Sequence, residues 1–389
     1  MLPEFAAFCF NIGMQNDLPL QSLKQAFGTL TDPRRNHTKH HELLDLLMIA
    51  VCCLLCGGSG FAHMEQFGHA KRDWLRTFLA LPNGIPSHDT FRRVFGLLDP
   101  HQFATAFLSW TQNLRTAVGA EIVALDGKTV RRSFDRAKGR GPIHLVSAWA
   151  SVNRLVLGQL KTADKSNEIT AVPQLLRTLE LAGCIVTVDA LNCQKDIAQE
   201  ISEADADYVL TLKANHGTAY AEVLSFLEDA RQRSFAGVAH DFVETVDKDH
   251  GRLETRRYWI TEQIDWFADR AQWEKLRSVA LVESQREVAD ERRVERRVFL
   301  CSLGADARLL AQAVRGHWGI ENQLHWGLDV QMNEDDCRVR VGHAAENLAT
   351  LRRIVLNLLR RDTHTKAGTR AKQLQAAWDH AYLQSLLKP

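Results

Sequence analysis

Three carboxylates occupy positions that suit work on a phosphodiester. Asp126 lies in Glu121–Val130, EIVALDGKTV, where a run of apolar, β-prone residues ends on one acid and Gly127 loosens the backbone after it. Asp189 closes a second such run, CIVTVDA (Cys184–Ala190), and Glu321 falls in a helical stretch rich in histidine and tryptophan, VRGHWGIENQLHW (Val314–Trp326). A lone aspartate at a strand end is ordinarily a turn former or helix cap. Two of them followed by a helical glutamate can hold two divalent cations roughly 3.5–4 Å apart, which together stabilise the attacking and leaving oxygens of an in-line displacement. Magnesium takes oxygen ligands and keeps several waters, so a few carboxylates suffice. Asp126 would bridge the ions, with Asp189 and Glu321 each completing one site. Gathered without a cation, the same charges would repel strongly, which argues against a purely structural cluster.

Glu321 has rivals in Glu334, Asp335 and Asp336, which read as a polar loop, and in Glu346, which suits a solvated helix face. Its helical position favours Glu321. His317, Glu321 and His325 recur every four residues, hence on one helix face. That is a weak zinc spacing; the histidines suit hydrogen bonds to phosphate or ordinary packing, and Trp318 and Trp326 read as core. Basic residues follow the first acid (Lys128, Arg131, Arg132, Lys138, Arg140) and recur at Arg292, Arg293, Arg296 and Arg297, with Lys213 at a later strand end. Singly each is a solvated cation. Flanking a metal site they suit a polyanion, whose affinity comes largely from phosphate neutralisation. Arg256 and Arg257 precede Tyr258 and Trp259. Aromatic rings beside arginine can stack on an unpaired base or fill the core of a sheet.

The chain must supply elements that bring these residues together. Its 389 residues allow two or three domains, and 45% hydrophobic with 24% charged residues is ordinary for a globular protein. The net charge of +1 sends the search for a nucleic-acid footprint to local patches. Eight cysteines without a disulfide framework fit a reducing cytoplasm. Cys53 and Cys56 form a CxxC inside the apolar run Leu43–Cys56, with no second pair at zinc spacing, and read as core. That run contains Asp45 and falls short of the roughly 20 apolar residues a membrane span needs. The N-terminus has no basic start before its short apolar segment, so a secretion signal is not expected.

From about Leu18 to Asn113 the apolar spacing is helical, with Ser87 as an N-cap and a modest basic face from Lys71, Arg72, Arg76, Arg92 and Arg93. His37, His40 and His41 sit in a polar loop and read as solvated. Near Glu121 the pattern turns to strands: EIVALDGKTV, then HLVSAWASV and RLVLGQLKT around a hairpin at Asn153, then helix, strand to Asp189, helix, strand DYVLTLKA and helix. That order predicts an α/β fold with an RNase H-like catalytic core, in which the strands carrying Asp126 and Asp189 are neighbours. Residues from about 237 to 303 alternate apolar and charged residues, as an inserted antiparallel β-sheet would, before the helix carrying Glu321. The expected division is an N-terminal helical domain over 1–117, the catalytic domain over 118–362 and a helical tail over 363–389.

The segments LPNGIPSHDTFRRVFGLLDP, ALDGKTVRRS, TVDALNCQKDIA, DYVLTLKANH and HWGIENQLHWGLDVQMNEDDCRVRVGHAAENLATLRRIVLNLL recur in that order in a known family. From about residue 20 to 361 the chain resembles the H-repeat-associated, ISAs-type insertion-sequence transposases of the DDE superfamily. The resemblance implies Asp126, Asp189 and Glu321 as the acidic triad, two Mg²⁺ or Mn²⁺ ions per active site, and cleavage of element ends followed by strand transfer into target DNA. It also implies DNA as partner, as terminal repeats and target, a homodimer on paired ends, no membrane, and a cytoplasmic location beside the nucleoid. The alternative is a domesticated or inactive relative that only binds DNA. Related transposases with this insertion often carry a tyrosine, an arginine and a lysine around the glutamate, where this chain has Val314, His317 and Leu328. Roles given to those residues do not carry over, and His317 is a partial substitute at best.

Overall fold

The computed structural model describes residues 18–114, 121–135, 139–162, 168–249, 252–288 and 291–388; Lys138 lies outside them. Two compact units divide the chain, Met1–Leu114 with Leu328–Pro389, and Arg115–Gly327.

The first unit opens with α1 (Leu18–Gly28), α2 (Leu43–Leu55), α3 (Phe61–Ala70), α4 (Arg72–Leu75), α5 (His88–Leu97) and α6 (Pro100–Leu114). Because α2 is apolar all round, it is buried all round. Its one acid, Asp45, accepts the Leu81 N–H at 2.9 Å where the backbone turns left-handed, and burial pushes its carboxyl pKa up. Ser87 caps α5 by accepting the Thr90 N–H. Cys53 is buried and Cys56 half-buried; burial raises both thiols, Cys56 to about 12, far from the thiolate a metal ligand needs.

The second unit is built on one nine-stranded sheet, ordered β3-β2-β1-β4-β5-β9-β8-β7-β6. Its strands are β1 (Ile122–Thr129), β2 (His144–Ala150), β3 (Leu155–Thr162), β4 (Ile185–Val188), β5 (Asp207–Leu212), β6 (Asp241–Asp249), β7 (Arg252–Thr261), β8 (Ser278–Val288) and β9 (Glu291–Cys301). The helices are α7 (Glu168–Leu176), α8 (Lys195–Glu203), α9 (Gly217–Gln232) and α10 (Ala307–Gly319). β1, β4 and β5 run parallel, while β1-β2-β3 form an antiparallel meander. Buried Glu121 closes the β2–β3 turn by accepting the Val152 N–H at 2.8 Å. The strands expected as an inserted sheet form no separate layer. β9 pairs antiparallel with β5, Leu210 opposite Leu300, so β6–β9 extend the same sheet. The inner ends of β7–β9 bury Tyr258, Ile260, Ala280, Val282 and Phe299 against α10, whereas the outer half of β9 is exposed.

After Gly327 the chain returns to helices: α11 (Ala344–Arg361), α12 (Thr369–Trp378) and α13 (His380–Leu386). α11 packs against α2, α5 and α6 within the first unit. Glu334, expected in a polar loop, is instead fully buried there and paired with buried Arg353 at 2.9 Å. The second compact unit ends at Gly327, and the chain from Leu328 on belongs to the first.

Candidate active site

The parallel register of β1 and β4 ends at Leu125 opposite Val188, so Asp126 and Asp189 are the next residues on neighbouring strands. Asp126 is not a strand end, as its sequence suggests. β1 parts from β4 at that residue but continues beside β2 as far as Thr129 opposite His144. One strand thus carries the acid at a fork between two partners, with the Asp126 carboxylate accepting the Gly127 N–H at 2.9 Å.

Beneath the two aspartates runs a buried polar relay that sequence reasoning missed. The Thr129 hydroxyl lies 2.8 Å from His144 Nδ1, and His144 Nε2 lies 2.6 Å from Glu168 Oε1. Asn192 Nδ2 donates to Glu168 Oε2 at 3.2 Å and to Asp189 Oδ1 at 3.0 Å, and the Asn192 N–H adds a 3.1 Å bond to the same Asp189 oxygen. His144, Glu168 and Asn192 are all buried, at 3%, 2% and 0% exposure. A Cβ on Gly127 would lie 2.4 Å from Glu168 Oε1 and 2.5 Å from His144 Nε2, so only glycine lets the pair pack on the backbone beside Asp126. An acid in the first turn of a helix is an ordinary macrodipole choice, which is why Glu168 carries no local signal.

Glu321 arrives from α10, which crosses the sheet face over β1 and β4. Gly316 makes the crossing close: its carbonyl accepts the Ser151 hydroxyl at 3.0 Å, and a Cβ there would meet Ile122 at 2.9 Å. At Ile320 the helix widens into a π-helical turn, Ile320–His325, carrying Glu321 exposed on its first turn. His317 meets β4 and His325 meets the neighbouring β1. His317 Nδ1 lies 2.9 Å from the Thr187 hydroxyl, and burial with the nearby Arg297 charge pulls its pKa down to about 4. At neutral pH it is uncharged and cannot replace a phosphate-binding arginine. His325 Nδ1 lies 3.5 Å from Asp126 Oδ2. Trp318 and Trp326, expected in the core, are 40% and 52% exposed.

Burial first, then the Asp189 charge, with smaller pushes from Glu168 and Glu321, raises the Asp126 pKa from 3.8 to about 7. A raised folded-state pKa means this group's stabilisation is full below about pH 4 and is lost as pH rises through about 7. Four carboxylates thus act on one another here. Among the described residues, however, no three His, Cys, Asp or Glu side chains converge closely enough to hold a metal ion.

The candidate cations fall into three groups. Arg131 and Arg132 are exposed on a short 3₁₀ turn after β1, and Lys213 is exposed just beyond β5. Lys128 is buried, because β1 runs on beside β2 and encloses it. In the extension, Arg256 pairs with Asp247 and Glu254, Arg257 with Glu244 and Glu283, Arg292 with Gln285, and Arg293 with Glu291. Trp259 is half-buried and packs on Phe235 and Phe242, with centroids at 6.0 and 5.2 Å, so it serves the sheet and is not free to stack on a base. Trp318 is exposed, with the Arg297 guanidinium 5.1 Å from its centroid. Both line an open groove of about 850 Å³ with Arg256, Arg286, Arg315 and Asn322, the last adjoining Glu321.

Comparison with known proteins bears on the whole chain. The family model described as the Transposase DDE domain matches residues 118–358, and the model of the domain associated with it matches 24–111. The chain is 37% identical to the "H repeat-associated putative transposase YhhI" of Escherichia coli (strain K12), over 95% of this chain and 98% of that protein. It is 38% identical to the "Putative transposase YncI" of Escherichia coli O157:H7, over 95% of each. The cryo-EM structure of the piggyBac transposase synaptic complex with hairpin DNA aligns with a TM-score of 0.44 and 11% identity, over 95% of this chain and 80% of that one, too loosely to bear on the argument.

Proposed function

Because the chain belongs to the DDE transposases, in their H repeat-associated branch, we propose that it cuts the ends of an insertion element and joins them to target DNA with Asp126, Asp189 and Glu321 as its acidic triad. The observation that carries this reading is the emergence of Asp126 and Asp189 side by side where β1 and β4 part, with Glu321 close enough to raise the Asp126 pKa. The strand order, with a three-stranded antiparallel meander followed by two parallel strands, supports an RNase H-like core. The nature of the donors fits Mg²⁺ or Mn²⁺: they are hard carboxylate oxygens crowded enough that one of them holds its proton to about pH 7. Paired divalent ions would neutralise charge on the attacking and leaving oxygens.

In this reading Asp126 and Asp189 hold the ions from fixed strands, and Glu321 joins them from the π-helical turn. His325 orients the Asp126 carboxylate. Arg131, Arg132 and Lys213 neutralise DNA phosphate at the strand ends, and the groove of Arg297 and Trp318 guides the strand leading to Glu321. The helical unit is assigned to DNA handling, the protein to a dimer on paired ends, and its location to the cytoplasm.

The test incubates the purified protein with DNA carrying the element's ends and Mg²⁺, beside EDTA and Asp126→Ala controls. Cleavage and joining that vanish in both controls support the reading. Cleavage without joining reduces it to a nuclease, and binding alone leaves a DNA-binding relative. A second consequence concerns pH. A cation at Asp126 must displace its proton, so the rise in melting temperature produced by Mn²⁺ should be larger at pH 8 than at pH 5.5, on either side of the value near 7. A shift of equal size at both pH values would place the ion elsewhere.

A further inference from the structure

We propose that Asn192 and Glu168 are positioning residues that fix how Asp189 and Asp126 face a cation. The proposal rests on the metal-dependent reading above and deepens it. Asn192 divides one amide group between two carboxylates, Glu168 at 3.2 Å and Asp189 at 3.0 Å, while its backbone N–H holds Asp189 a second time. All three bonds are made at a residue with no exposed surface. Asp189 Oδ1 is therefore occupied by two donors, and Oδ2 is the oxygen left to a ligand.

Glu168 faces the other way as well. Its Oε1 is bound to His144, itself tied to Thr129 of β1, and both side chains press on Gly127, the residue after Asp126. A single buried chain of polar contacts, Thr129–His144–Glu168–Asn192–Asp189, thus runs from the strand of one aspartate to the carboxylate of the other. Each Glu168 oxygen already meets a buried partner, His144 at Oε1 and Asn192 at Oε2. A buried carboxylate is costly to keep without a purpose, and ordering the groups behind metal ligands commonly changes metal affinity by about 10–100-fold.

The experiment uses the full-length protein without DNA and Mn²⁺ as the probe, with affinity measured by calorimetry and folding by melting in EDTA. Asn192→Ala removes the shared amide. Glu168→Gln is nearly isosteric and keeps one acceptor, so it decides the matter if Asn192→Ala does not fold. The expected result is Mn²⁺ affinity about 10–100-fold weaker in a variant that still melts cooperatively. A purely structural role would lower the melting temperature and leave affinity within about twofold, and that outcome overturns the proposal. Wild-type protein that binds no Mn²⁺ would overturn the metal reading itself and this proposal with it, whereas normal wild-type binding with unchanged variants overturns this proposal alone.

Discussion

Asp126→Asn should lower DNA cleavage by at least about a thousandfold, which corresponds to about 4 kcal/mol of transition-state stabilisation and is within the several kcal/mol expected from a metal-held centre. The same variant should melt at a higher temperature than wild type in EDTA at pH 8. Wild-type Asp126 is ionised there at an unfavourable cost, since burial and Asp189 hold its pKa near 7. The neutral amide removes that cost. At pH 4 both side chains are largely uncharged and the melting difference should close. Activity and stability then move in opposite directions, as a residue retained for chemistry requires. A variant that cleaves normally, or that melts lower than wild type in EDTA at pH 8, would refute the assignment.

The second large effect lies in the helical unit. Glu334→Ala should destabilise that unit by about 3–5 kcal/mol, because it leaves the Arg353 guanidinium charged and buried without its carboxylate. The bond from Arg353 Nη1 to the Ala349 carbonyl, 3.0 Å, meets a neutral acceptor and does not neutralise the charge. Replacing both partners together by methionine should recover most of the loss, since an apolar pair of similar volume often matches a buried ion pair. Urea unfolding followed by circular dichroism reads both. A single-variant loss below about 1 kcal/mol would mean that water reaches the pair and screens it.

Much of the frame was legible because it depends on local pattern. The apolar runs ending at Asp126 and Asp189, the alternation along β6–β9 and the cap at Ser87 are written in neighbouring residues. What stayed hidden depends on register and pitch. Nothing near Glu168 announces that β2 will bring His144 opposite Thr129 and within reach of it. The π-helical turn after Gly319 stayed hidden as well, because a four-residue spacing suits an α-helical and a π-helical turn alike. Trp318 reads as core on composition, and Trp259 as either a stacking ring or a filler of the sheet. In the fold α10 leaves Trp318 on the groove, and β7 turns Trp259 toward Phe235 and Phe242. Glu334 and Arg353 lie 19 positions apart, and no local pattern identifies them as mutual partners.

The bonding of β9 to β5 has a mechanical consequence. Backbone pairing crosses that seam from Val209–Cys301 to Leu212–Val298, and α10 braces it from one face. The outer strands are therefore a cantilever rooted on β5, one strand from β4. A load on its tip would be transmitted to the scaffold of the aspartates as torque.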